Sequence, residues 1–117
     1  MNQIQELGKA GEALAVEFLE QRGYCVIERN WRTNFGEIDI IATTATHLVF
    51  VEVKTRSGLG FGHPFEAITP AKIERMRKLA HDWCRQNASY GFKIRLDAIA
   101  ILVSNGKGHV EHLKAVY

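Results

Sequence analysis

Apolar or small residues recur at positions 4, 7, 11, 14, 15 and 18, while Gln5, Lys9, Ala13 and Glu20 fall on the other side. At 3.6 residues per turn this spacing makes one stripe, so it predicts an amphipathic helix from Ile4 to Arg22, which Gly23 ends. Three extended segments follow, Tyr24 to Trp31, Glu37 to Thr43 and Leu48 to Thr55, each rich in β-branched or aromatic residues and divided by polar turn-forming stretches. They predict a meander. Residues 56–68 hold Gly58, Gly60, Gly62 and Pro64 and predict a long loop. Thr69 and Pro70 then supply an N-cap and a first-turn proline for a second helix, with an apolar stripe of Ile73, Met76, Ala80, Trp83 and Cys84. Lys93 to Val103 reads as a buried strand, Asn105-Gly106 as a turn and His109 to Lys114 as a last strand. The order α-β-β-β-α-β-β predicts an α/β fold, a mixed central sheet flanked by helices.

Composition narrows the class. The chain has 117 residues, 46% of them apolar and 24% charged, which suits one domain over residues 1–117 with its own core. Its apolar runs are far shorter than the roughly 20 residues of a membrane span. Met1 to Ala10 carries Gln3, Gln5, Glu6 and Lys9 in place of the apolar stretch of a secretory signal, so the expectation is a cytoplasmic protein without a membrane. Cys25 and Cys84 stand far apart and outside any CxxC spacing, which predicts core filling and neither a disulfide framework nor a zinc site. A net charge of +2 permits a polyanionic partner without requiring one.

Charges inside two of the apolar strands need a reason. In Gly36-Glu37-Ile38-Asp39-Ile40-Ile41-Ala42, alternation puts Glu37 and Asp39 on one face. In Val49-Phe50-Val51-Glu52-Val53-Lys54-Thr55-Arg56 it puts Glu52 and Lys54 on one face and Val49, Val51 and Val53 on the other. A hairpin with a four-residue loop at Thr44 to His47 would set Asp39 opposite Glu52 and Glu37 opposite Lys54. Opposed side chains have Cβ atoms roughly 4.5 to 5.5 Å apart, and two carboxylates there repel unless positive charge lies between them. A divalent cation removes that penalty. An all-oxygen donor set favours Mg²⁺ or Mn²⁺ over zinc, with the Val53 carbonyl as a further ligand. Lys54 is placed to hold or deprotonate an attacking water and to offset charge developing on a phosphodiester. Glu12 falls on the shoulder of the first helix's stripe, beside Gly8, Ala15 and Val16, where small neighbours let it approach the sheet. The competing reading of Asp39, Glu52 and Lys54 is a solvated strand face with a cross-strand salt bridge.

These residues resemble the YraN family of bacterial endonuclease-like proteins, grouped with archaeal Holliday-junction resolvases in the PD-(D/E)XK nuclease superfamily. The matching positions span most of the chain: Gly8-x-x-Gly11-Glu12 with Ala15, Asn30-Trp31-Arg32, Gly36-Glu37-Ile38-Asp39, Phe50-Val51-Glu52-Val53-Lys54-Thr55-Arg56, Phe61-Gly62, Lys72 and Arg95-Leu96-Asp97. The resemblance implies the restriction-endonuclease-like αβββαβ core, Asp39 and Glu52 as metal ligands, Lys54 as the catalytic lysine and Glu12 as the first-helix carboxylate of the resolvase branch. It also implies a homodimer. Ile38 stands where the superfamily's name places a proline.

Arg32, Arg56, Lys72 and Arg75 are candidate phosphate contacts beside the acidic site, the layout a DNA enzyme needs. The glycines at 58, 60 and 62 match neither GxGxxG nor a Walker loop and suggest a flap, with Phe61 and Phe65 able to stack on bases or pack on the sheet. Glu37 is read as a partner of Lys54 or of a backbone group. Asp97 is read as the structural partner of an arginine. His109 and His112, three apart on a strand, point to opposite faces and make no metal pair. The sequence therefore leads to a metal-dependent endonuclease acting on DNA, with branched and single-stranded forms among its substrates. A binding module with a silent nuclease fold and an adaptor that holds no nucleic acid stay open beside it. A glycosidase ranks last, because a lysine opposes the carboxylates.

Overall fold

The computed structural model describes residues 3–58, 62–87 and 91–117. Helix α1 runs Gln3–Gln21, followed by strands β1 (Cys25–Thr33), β2 (Gly36–Thr43) and β3 (His47–Ser57), a 3-10 turn at Pro64–Ala67, helix α2 (Pro70–Gln86), and strands β4 (Lys93–Ser104) and β5 (Lys107–Leu113). The αβββαβ succession is thus followed by a fifth strand. Phe61 and Gly60 of the expected flap lie outside the described residues. Within that loop region β3 continues to Ser57, and His63 Nδ1 accepts the Phe65 N–H at 3.1 Å to start the 3-10 turn, two features with no periodic signal in the sequence.

The helix ends follow local chemistry. Gly23, at φ 86, takes the left-handed conformation that ends α1, and the Tyr24 N–H reaches the Leu19 carbonyl at 3.1 Å. Thr69 Oγ1 accepts the Lys72 N–H at 3.2 Å with proline next in line, so α2 starts as expected and Lys72 sits in its first turn. Asn105 and Gly106 both have positive φ, 52 and 74, which suits the tight β4–β5 hairpin.

The five strands pair in chain order, β1-β2-β3-β4-β5. All neighbours are antiparallel except β3 and β4, which α2 joins as a parallel crossover. One helix covers each face. Ala15 and Leu19 of α1 pack with Val49, Val51, Ile99 and Ile101, while Met76, Leu79, Ala80 and Trp83 of α2 pack with Ile41, Leu48, Phe50 and Leu96. Leu19 and Leu79 thus join the stripes read from sequence, whereas Leu14 is 37% exposed. Trp83 is core and also donates from Nε1 to Glu28 Oε1 at 2.9 Å, tying α2 to β1. Cys84 is buried as expected, but Cys25 is exposed, because it opens the edge strand β1. Among the described residues no helix is long and apolar enough to cross a membrane.

Asp97 is the fully buried charge of the sheet. It accepts from Arg95 Nε and Nη2 at 2.9 and 2.8 Å and from the Ala115 N–H at 3.0 Å, with His112 Nε2 at 2.7 Å. Arg95 Nη2 also donates to the Tyr24 hydroxyl at 2.7 Å. The aspartate is therefore a structural partner of an arginine, and it ties β4, β5, the chain after β5 and the segment after α1 together. Burial works against its charge, but His112, Arg95 and the Ala115 amide outweigh burial and hold its pKa below the usual aspartate value. Its contribution to stability is present above the unfolded value of 3.8 and is lost as pH falls below it. Asp97→Ala strands a largely buried guanidinium, so denaturant unfolding is expected to show a loss of about 3–5 kcal/mol.

Candidate functional site

The site lies where β2 parts from β3. Their paired register runs Thr43 with Leu48, Ala42 with Val49, Ile41 with Phe50 and Ile40 with Val51, and stops there. The turn Thr44 to His47 matches the expected hairpin, with the Thr44 N–H on the His47 carbonyl at 2.9 Å. The expected continuation, Asp39 opposite Glu52 and Glu37 opposite Lys54, is not formed as strand pairing. Instead the Asp39 side chain crosses the gap, and Oδ2 accepts the Val53 N–H at 2.7 Å.

A change in β2 accompanies the parting. Ile38 packs on the α2 side and Ile40 on the α1 side, although strand alternation would put both on one face. Across β1, Arg29 pairs with Ile40 and Trp31 with Ile38, leaving Asn30 and Asp39 between those pairs, and Asn30 has φ 53. Both strands turn here. Asparagine tolerates this left-handed backbone, the one local sign in the sequence of a kink in β1.

Asp39, Glu52, Lys54, Glu12, Val53, Glu37 and Arg56 line a cleft of about 290 Å³ at this point. Glu52 and Lys54 project on the α2 side, as alternation from Phe50 requires, with Lys54 Nζ 3.3 Å from Glu52 Oε1. Lys72, expected only as a phosphate contact at the flank, comes from the first turn of α2 to within 3.9 Å of the same oxygen. Glu12 enters from α1. That helix approaches β3 closely at Gly11, where a Cβ would run into Thr55 Oγ1. Glu12 is largely buried, with Arg29 Nη2 at 3.8 Å, and Oε1 has no hydrogen-bond partner among the described residues.

The other expected residues divide. Arg56 lines the acidic cleft, its Nη1 donating to the Thr55 carbonyl at 3.1 Å. Arg32 Nε lies 2.9 Å from Glu37 Oε2, so Glu37 is the partner of Arg32 and not of Lys54, because β2 and β3 have already diverged at that level. Arg75 lines a separate cleft of about 690 Å³ on the outer side of α2, with Phe35, Lys78 and Arg85. His112 is held by Asp97, away from the acidic cleft, and Phe65 stacks beside His63 with ring centroids 5.0 Å apart.

The electrostatics are those of crowded carboxylates. Asp39 is 9% exposed, and burial first, then the Glu52 charge, with smaller pushes from Glu12 and Glu37, raise its pKa to about 7 against the opposing Val53 hydrogen bond. Burial also raises Glu12 above the usual glutamate value, against the pull of Arg29. Lys54 loses by burial, but its contact with Lys72 and the charges of Glu52 and Asp39 more than offset this and hold its pKa above the usual lysine value. Lys72 is lowered, first by its hydrogen bond with Lys54 and then by burial.

Because the folded Asp39 pKa lies above its unfolded value of 3.8, its favourable contribution is full at low pH and declines until pH passes about 7. Asp39→Asn keeps an oxygen for the Val53 N–H and removes the repelled charge. In EDTA above neutral pH the variant is expected to melt several degrees higher than the wild type, with the difference shrinking in acid.

Among the described residues, no three His, Cys, Asp or Glu side chains form a cluster that could hold a metal by themselves. Two carboxylates and a carbonyl remain available. On a strand the N–H and C=O of one residue point to the same side, so the Val53 carbonyl shares the β2 side with the amide that Asp39 binds. An oxygen-only set of this size suits a cation that keeps several waters.

Residues 11–101 match the uncharacterised protein family UPF0102. A UPF0102 protein of Renibacterium salmoninarum is 48% identical over 112 residues, covering 95% of each chain, and one of Leifsonia xyli is 46% identical over 117 residues, covering 99% of each. A solved structure, SfsA of Pyrococcus furiosus in complex with Ca²⁺, is similar at a TM-score of 0.42 and 17% identity, over 95% of this chain and 63% of that one, less than two thirds of its length.

Proposed function

Since this chain belongs to the uncharacterised protein family UPF0102, its function has to be read from its own site, and we propose that it is a PD-(D/E)XK nuclease-like protein of the YraN type that hydrolyses phosphodiester bonds in DNA with Mg²⁺ or Mn²⁺. The observation that carries this reading is Asp39: a buried carboxylate pressed against Glu52 at the mouth of a cleft, its pKa pushed up to about 7. Two carboxylates held together in this way are poised to gain a cation.

Asp39, Glu52 and the Val53 carbonyl would hold the metal. When bound, the cation supplies positive charge to the phosphate and acidifies water. Lys54, kept protonated, donates hydrogen bonds to an attacking water or to phosphoryl oxygens as negative charge builds on them. Glu12, whose Oε1 accepts no hydrogen bond among the described residues, orients water from the α1 wall. Arg56 in the cleft, Lys72 beside Glu52 and Arg32 in the adjoining groove offer cations to the phosphates around the scissile bond, and Arg75 does so from the outer face of α2.

One observation favours a second reading, a nucleic-acid-binding or adaptor module in DNA repair or recombination that does not cut. Two lysines on one Glu52 oxygen let the acidic cleft stand without a cation. Labelled single-stranded, duplex and four-way-junction DNA, incubated with Mg²⁺ or Mn²⁺, separate the two. Cleavage by the wild type is expected, with Lys54→Ala and Glu52→Ala each lowering the rate by roughly 10²–10³-fold while DNA binding persists. A rise in melting temperature on adding Mn²⁺, absent in Glu52→Ala, reads the metal site apart from activity. DNA binding without metal-dependent cutting or metal-dependent stabilisation selects the silent module.

A further inference from the structure

The acidic cleft does not end at the carboxylates. It shares Gly8, Glu12 and Glu37 with a larger cleft of about 700 Å³ between α1 and the open edge strand β1, which in turn shares Arg32 and Glu37 with a smaller one of about 340 Å³ at the β1–β2 turn. The three form one groove leading away from Asp39. Among the described residues, those lining its central part are, apart from Gly8, all polar or charged. That lining offers nothing to an apolar ligand or to the apolar centre of a protein interface.

Glu12 and Glu37 join this groove to the acidic cleft, Glu37 lining all three parts, while Lys9 and Arg29 line the central part and Arg32 continues into the third. Arg29 and Arg32 each face a site carboxylate, at 3.8 and 2.9 Å, but Lys9 is exposed and has no ion-pair partner among the described residues. The Asn30 side chain lies among them, hydrogen-bonded to Glu12 with donor and acceptor capacity to spare, in the left-handed backbone that kinks β1.

We propose that this groove is the seat of one unpaired nucleic-acid strand leading to the scissile phosphate, with Lys9, Arg29 and Arg32 on its phosphates and Asn30 on a base edge. The inference rests on the nuclease-like reading of the acidic cleft and adds the form of substrate that reaches it. An unpaired strand presents phosphates and base edges together, and the groove offers cations and an amide together; a duplex keeps its base edges inside its own grooves. The protein then takes hold of DNA where a strand is free, at a single-stranded end, a flap or a fork.

Fluorescence anisotropy in EDTA reads binding apart from cutting. Labelled single-stranded DNA, a blunt duplex and the same duplex with a single-stranded arm are titrated with the wild type, Lys9→Gln, Arg29→Gln and, as a control on the distant β4–β5 turn, Lys107→Gln. The expected result is that the wild type binds the single strand and the armed duplex more tightly than the blunt duplex. Lys9→Gln then weakens the first two by up to roughly tenfold and flattens the plot of log affinity against log salt by about 0.7, the loss of one single-strand phosphate contact. Lys107→Gln changes neither. Lys9 touches no site carboxylate and is exposed, so its replacement leaves the melting curve unchanged, whereas Arg29→Gln also frees Glu12 and serves as the second variant. If the wild type binds DNA but Lys9→Gln and Arg29→Gln bind as tightly and with the same salt slope, or if the blunt duplex is preferred, the groove assignment is overturned and the nuclease-like reading stands. If the wild type binds DNA of no form, both fall.

Discussion

A single hydrogen bond, from the Val53 N–H to Asp39 Oδ2, holds the site at the point where two neighbouring strands separate. A strand that leaves its neighbour abandons a row of backbone donors and acceptors, and a buried unpaired amide costs about 1–3 kcal/mol. The Asp39 carboxylate meets the first of those amides, so β2 and β3 can diverge beyond Ile40 and Val51 without an orphaned group at the fork. The same bond fixes a carboxylate in the mouth of the cleft and leaves Val53 facing it. The shift of Ile38 to the α2 side, the left-handed Asn30 in β1 and the pairing of Glu37 with Arg32 all belong to this divergence.

Two helices on opposite faces of the sheet converge on that fork. From one side α1 presses its backbone onto Thr55 at Gly11 and delivers Glu12. From the other, the Thr69 cap and Pro70 start α2 so that Lys72 arrives beside Glu52 and Lys54. The result is a mixed charge distribution, carboxylates from β2, β3 and α1 beside ammonium groups from β3 and α2. Burial and then the Glu52 charge outweigh the Val53 hydrogen bond and raise the Asp39 pKa to about 7, while Lys54 stays charged. A folded chain that keeps such repulsion is destabilised locally, and functional sites commonly carry that burden. The Asp97 cluster is the opposite case: a fully buried carboxylate with four donors around it, placed where it ties β4, β5 and the chain end together.

The elements of the fold were legible in the chain because their signals are local. The Thr69-Pro70 start, the Gly23 stop and the Asn105-Gly106 turn each depend on a few neighbouring residues and appear where the pattern puts them, and strand alternation holds through β3 but breaks in β2 between Ile38 and Ile40. The 3-10 turn at Pro64–Ala67 rests on a histidine cap with no periodicity, and Leu19 and Leu79 joined the core because helices are buried by what faces them as well as by their own stripe. Cys25 is exposed because the sheet's pairing order, which no local pattern records, leaves β1 at the edge.

By itself the sequence determined which chemistry is available: an acid, a second acid and a lysine at alternate positions of apolar strands, with a glutamate on the shoulder of the first helix. Tertiary structure decided how those groups meet. It ended the strand ladder before Asp39, gave Glu37 to Arg32, brought Lys72 onto the Glu52 oxygen, left Arg75 on the outer face of α2 and opened a polar groove from Glu12 along β1. The reason is range. Side-chain direction within a strand or helix follows from backbone geometry over a few residues, whereas the divergence of two strands and the approach of two helices depend on packing between segments far apart in the chain.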